Sequence, residues 1–180
     1  LYWANVEDTP AKRFDLVVGV NVRASFLCAH HALSGMKKRG GGCVINMSPP
    51  ITPNVTPGHV AYMISKFGMT MLTEGLAAEG EKDNIRAYSV WPVTMVESQA
   101  VIGNHLGTPE MWRKPEILVD ATMALIMGEG GIKSGSALYD EDVLKAIGVS
   151  DFSRYACVPG TTPPSIRLDD AKAYWQAAGR

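Results

Sequence analysis

Three cysteines in 180 residues, Cys28, Cys43 and Cys157, are odd in number, widely spaced and without a Cys-x-x-Cys pair. That excludes a disulfide framework and predicts a reducing compartment, the cytoplasm. No uninterrupted apolar run approaches the ~18 to 20 residues of a membrane-spanning helix, so no membrane role is expected. An excess of one charge is missing too. Lys+Arg of 17 against Asp+Glu of 18 leaves a net charge of -1, which gives no general pull toward nucleic acid or anionic lipid. No Gly-x-x-x-Gly-x-Gly or Gly-x-Gly-x-x-Gly follows a predicted strand, so a cradle for a dinucleotide pyrophosphate is lacking. His30, His31, His59 and His105 show no ligand spacing, which predicts no metal site. A Gly-x-Ser-x-Gly elbow is absent, which speaks against a serine hydrolase.

What is present suits one globular domain over residues 1–180, with 46% hydrophobic and 19% charged residues. Thr9-Pro10 predicts a helix opening, with the Thr hydroxyl as cap, and a helix running to about Lys38, where Gly40-Gly41-Gly42 stops it. Cys43 to Met47 reads as a strand covered on both faces and ending at Ser48. A proline-rich loop leads to a second helix, about Gly58 to Glu81, apolar around much of its circumference and therefore suited to meeting another subunit. Ile85 to Val90 predicts a strand closed by Trp91-Pro92. Thr108-Pro109 and Lys114-Pro115 open two helices, Ser136 to Tyr139 is a short strand, and Asp140 to Ile147 a last helix. The tail, 148–180, is irregular. Helices alternating with strands in this order predict an α/β fold with a parallel sheet.

Tyr62-Met63-Ile64-Ser65-Lys66 places a phenol and an ammonium on one helix face, one turn apart. An ammonium ~4 Å away at an effective dielectric of ~20 is worth about 4 kcal/mol, or roughly three pKa units, enough to bring a phenol toward neutral titration. Ser48 ends the preceding strand, at the sheet edge where open α/β folds bind ligands. Asn21, an amide within an apolar helical stretch, needs a partner to offset its burial; alone it reads as structural.

Asn21 in Val20-Asn21-Val22-Arg23, the strand Val44-Ile45-Asn46-Met47-Ser48, Tyr62-x-x-x-Lys66 and Pro92 after the next strand together resemble the catalytic half of the short-chain dehydrogenase/reductase family. The likeness spans roughly Pro10 to Tyr139. Ser48-Pro49-Pro50, Trp91-Pro92-Val93-Thr94 and Tyr139-Asp140-Glu141-Asp142 more narrowly resemble the subgroup of hydroxysteroid dehydrogenase-like proteins and related bacterial reductases.

The resemblance implies a Rossmann-like, doubly wound parallel sheet whose first βαβαβ half is absent, the chain being the C-terminal portion of such a domain and not competent alone. It implies hydride exchange between NAD or NADP and a small-molecule carbonyl or alcohol. Tyr62 would be the acid/base, and Lys66 would lower its pKa and hold the nicotinamide ribose. Ser48 would polarise the carbonyl, and Asn21 would bond a main-chain carbonyl and keep a relay water. Pro92, Thr94 and Ser98 take the place of the carboxamide contacts, although Val93 stands where the family has glycine. The apolar stretch Val96 to Pro115 takes the place of a substrate lid and suggests a lipophilic substrate; core packing explains it equally well. A homodimer or homotetramer is implied for the full-length protein. The rival reading is a non-catalytic module that pairs with partners through its long helices.

Overall fold

A computed structural model describes residues 2–54 and 57–168. The elements, in chain order, are α1 (Ala11–Val18), a π-helical turn (Gly19–Arg23), α2 (Ala24–Lys38), β1 (Gly42–Met47), α3 (Val60–Gly80) and β2 (Ile85–Trp91). They continue with β3 (Met95–Val96), α4 (Gln99–Gly103), β4 (Trp112–Arg113), α5 (Glu116–Met127), β5 (Ala137–Tyr139) and α6 (Asp140–Ala146). The fold is α/β with a parallel strand pair, a partial Rossmann-like arrangement. Of the tail, residues 169–180 lie outside the described residues.

The chain divides into two compact units, Leu1–Val90 with Lys133–Leu138, and Trp91–Ile132 with Tyr139–Arg180. In the first, β1 pairs in parallel with β2, Gly42 opposite Ile85 through Met47 opposite Val90, and the sheet order is β1-β2-β5. Ala29, Leu76 and Ala87 form its core, with Leu33, Val44 and Leu72 packed against them. β2 is almost wholly buried, as a central strand should be, whereas β1 is mostly half-buried and Met47 is exposed. The expectation that β1 is covered on both faces is thereby corrected: it stands at the end of the strand order.

The first predicted helix is one continuous run, but its middle winds as a π-turn around Asn21. Thr9 does not cap it; the Thr9 hydroxyl donates instead to the Asn5 carbonyl at 2.8 Å. By length and composition alone, Ala11–Lys38 is long and apolar enough to cross a membrane, which the count of uninterrupted runs did not foresee. Here the run packs along α3 and β1. Gly68 permits the close approach, since a Cβ there would lie 2.9 Å from the Val22 side chain.

In the second unit α5 packs on α6 through Ile117, Ala121, Leu125, Val143 and Leu144, each at most 1% exposed. Thr108-Pro109 opens only a 3-10 turn, Pro109–Met111, because the chain then extends into β4 to pair with β3. α4 and the two-residue strands are too short to leave a periodic signal.

Candidate functional site

Tyr62 and Lys66 lie on the first turns of α3, and with Asn21 they line a cavity of about 310 Å³ whose other walls are Tyr2, Arg13, Leu16, Val17 and Val20. The Lys66 Nζ stands 5.7 Å from the Tyr62 ring centre and donates to the Met47 carbonyl at 2.9 Å. That bond ties the ammonium to the carboxyl end of β1, where open α/β sheets present their ligand sites.

Asn21 reaches the same helix. Its Nδ2 donates to the Ser65 Oγ at 2.9 Å, and Ser65 in turn donates to the Tyr62 carbonyl at 2.7 Å. The amide thus meets a side-chain hydroxyl, where the resemblance implied a main-chain carbonyl. π-turns inside α-helices recur at functional sites because the extra residue re-aims the side chains around it; Asn21 is the middle residue of this one.

Burial sets the electrostatics. The phenol of Tyr62 is held above the ordinary tyrosine range by desolvation, and the same effect lowers Lys66 from 10.5 to about 8. The expected lowering of the phenol by its lysine is therefore outweighed here. Desolvation penalises the phenolate, and the ammonium is directed to a backbone carbonyl. At neutral pH the pair is a neutral phenol beside a cation.

Ser48 follows directly on the end of β1. It is fully buried, and its hydroxyl donates to the Ser89 Oγ at 2.9 Å. Ser89 donates to the Thr73 Oγ1 at 2.8 Å, which also receives the Asn46 amide at 2.8 Å and donates to the Met69 carbonyl at 3.1 Å. The Ser48 proton is engaged in this closed chain, and Ser48 is not among the residues lining the cavity. In this arrangement the Ser48 hydroxyl is hydrogen-bonded within the buried chain and away from the cavity.

Pro92, Thr94 and Ser98 belong to the second unit. Thr94 is 1% exposed and donates to the Met95 carbonyl at 3.2 Å, and the Ser98 Oγ caps α4 by accepting from the Val101 N–H at 3.3 Å. Val93 is clamped from both sides. Its N–H donates to the Asp140 Oδ1 at 3.0 Å and its carbonyl accepts from the Ile166 N–H at 2.6 Å. In the predicted lid, Trp112 is buried with its Nε1 donating to the Leu106 carbonyl at 2.8 Å, which favours the packing reading for that residue.

Sequence reasoning missed Arg13 and Tyr2 as cavity residues. The signal for Arg13 was slight: it sits about two turns before Asn21 in the same helical run. Tyr2 precedes the helix and left no signal.

A family model described as short chain dehydrogenase matches residues 3–103. Human hydroxysteroid dehydrogenase-like protein 2 is 34% identical over 172 residues, covering 92% of this chain and 40% of its own length. A crystal structure of a dehydrogenase from Xanthomonas campestris superposes with a TM-score of 0.82 at 32% identity, over 92% of this chain and 61% of that one. At the level of fold alone, a 7α-hydroxysteroid dehydrogenase solved with NADH and 7-oxo glycochenodeoxycholic acid matches 76% of this chain and 57% of its own, with TM-score 0.61 and 20% identity. The chain thus spans about two fifths of the human relative and three fifths of the bacterial one.

Proposed function

Because the chain belongs to the short chain dehydrogenase family, we propose that it carries the proton-transfer centre of an NAD(P)-dependent oxidoreductase acting on a carbonyl or alcohol. One observation carries the reading: Tyr62, Lys66 and Asn21, from two separate helices, line one cavity.

The donor set fits the ribose end of a nicotinamide cofactor, since the Lys66 ammonium and Tyr62 phenol offer a cationic and a neutral donor to vicinal hydroxyls. It does not extend to the pyrophosphate. Gly41 is used in packing, where a Cβ would lie 2.7 Å from the Asn84 carbonyl oxygen. Accordingly the 180-residue chain alone is expected to bind cofactor weakly or not at all, and NAD against NADP is left open.

When bound, the nicotinamide supplies or takes up the hydride. In the reducing direction the carbonyl oxygen becomes an alkoxide, and Tyr62, held neutral by its burial, donates the proton that completes the alcohol. Lys66 then stabilises the phenolate until solvent returns a proton, and the Met47 carbonyl keeps the ammonium in place. In the oxidising direction the phenolate takes the proton from the alcohol. Asn21 fixes the Ser65 turn and so the pitch of the helix that carries both groups.

Replacing Tyr62 by Phe in the full-length protein tests the reading. Loss of turnover with cofactor binding retained is expected; unchanged turnover would overturn it. The rival, a non-catalytic pairing module, draws on Leu16, Val20, Phe26, Ile64 and Met71, all at least 50% exposed on the long helices. The same residues suit a homodimer or homotetramer, and the rival predicts no effect of the Tyr62 substitution.

A further inference from the structure

The residues around Tyr62 carry a charge pattern that the proton-transfer reading does not use. Of the eight that line its cavity, Arg13 and Lys66 are basic and none is acidic. Lys66 is engaged with the Met47 carbonyl. Arg13 is exposed, makes none of the ion pairs found among the described residues, and sits with its guanidinium 5.5 Å from the ring centre of Tyr2, which is also a cavity residue. That stacking holds a planar, permanently charged fork at the cavity wall.

Along the helix from Arg13 to Asn21 the wall is apolar. Leu16, Val17 and Val20 separate Arg13 from Asn21, and Asn21 is tied to α3 beside Lys66 through Ser65. Eight residues at 1.5 Å each put Arg13 roughly 12 Å from Asn21 along the helix axis. The cavity therefore presents a proton donor from α3, an apolar wall of about two helical turns, and a guanidinium carried on that same wall.

We propose that the substrate is an amphiphilic alcohol or ketone bearing an anionic group, a carboxylate in the simplest case, that Arg13 binds while the reacting carbon sits at Tyr62. This rests on the proton-transfer reading above and narrows its substrate class. A guanidinium meets a carboxylate through two parallel N–H···O bonds. A partly exposed pair of this kind supports a preference of about tenfold for the acid over its neutral ester.

The test uses the full-length protein with cofactor and a series of (ω-1)-hydroxy fatty acids of increasing chain length, each paired with its methyl ester. The expected result is a kcat/KM about tenfold higher for the acid at the chain length that spans the cavity, a preference that collapses to about one in Arg13→Ala and is partly kept in Arg13→Lys. Calorimetric titration with the saturated fatty acid and its methyl ester should show the same ratio in Kd, and the same collapse, without turnover. Equal affinity for acid and ester in the unaltered protein would overturn the inference. So would an Arg13→Ala variant that keeps the preference, or one whose only effect is a raised KM for the cofactor, which would assign the guanidinium to a cofactor phosphate. Failure of Tyr62→Phe to stop turnover would sink the proton-transfer reading instead, and is read separately from the acid-to-ester ratio.

Discussion

Tyr62, Lys66, Thr70 and Thr73 follow one another along a single stripe of α3, and the stripe changes character halfway. Its first two members line a cavity, where desolvation shifts their titration. Its last two are fully buried, with Thr70 donating to the Pro49 carbonyl at 2.7 Å and Thr73 joined to Ser89 and Asn46. Ser48 falls with the second set. A polar group becomes available for chemistry when it is dehydrated but left with capacity for a ligand, and becomes scaffold when each proton already has an acceptor.

The sharpest test of that division is Tyr62→Phe, with an expected loss of roughly 10² to 10⁴ in kcat, the usual worth of a positioned acid/base, and little change in thermal midpoint. The Lys66 contribution should show as pH dependence. Its ammonium is lost near pH 8, so kcat/KM for carbonyl reduction should fall above about pH 8, and Lys66→Arg, charged throughout, should remove that limb from the profile. A profile flat to pH 10 would break the assignment.

Ser48→Ala should act on stability, lowering it by about 1 to 3 kcal/mol through the disrupted hydroxyl chain, as read from urea unfolding midpoints. A hundredfold loss of kcat at unchanged stability would place Ser48 with Tyr62 after all, as the family resemblance implied. The last effect concerns the second unit and is confined to acid pH. Asp140 is fully buried and desolvation raises its carboxyl to about 6 from 3.8. The folded state then binds more protons than the unfolded one between about pH 4 and 6, so stability falls as pH rises through that window, by at most about 3 kcal/mol. Asp140→Asn should flatten that slope while still accepting from the Val93 N–H; urea midpoints from pH 4 to 7 measure it.

Local signals carried most of the architecture. Thr9-Pro10 and Gly40-Gly41-Gly42 bounded the first helix, and the apolar run Cys43 to Met47 after the glycines marked a strand. Spacing also put Tyr62 and Lys66 on one turn. Sequence could not say whether the Ser48 proton was already engaged, since its acceptor Ser89 is 41 residues away. Nor could it give the sign of the phenol's shift, which depends on how burial weighs against a cation whose ammonium is directed elsewhere. Arg13 was legible only as a cation about two turns upstream of Asn21, and its place at the cavity came from the fold.

The π-turn at Gly19–Arg23 makes that wall sensitive to a single backbone insertion or deletion. Removing one residue there would restore a regular screw and turn everything upstream, Arg13, Leu16 and Val17 included, by about 100° relative to α3. The phenol and ammonium would keep their places while the opposite side of their chamber swung away. Relatives with an uninterrupted helix at this point would present Tyr62 to a different set of neighbours, so the phase of one helix would separate ligand choice from proton chemistry.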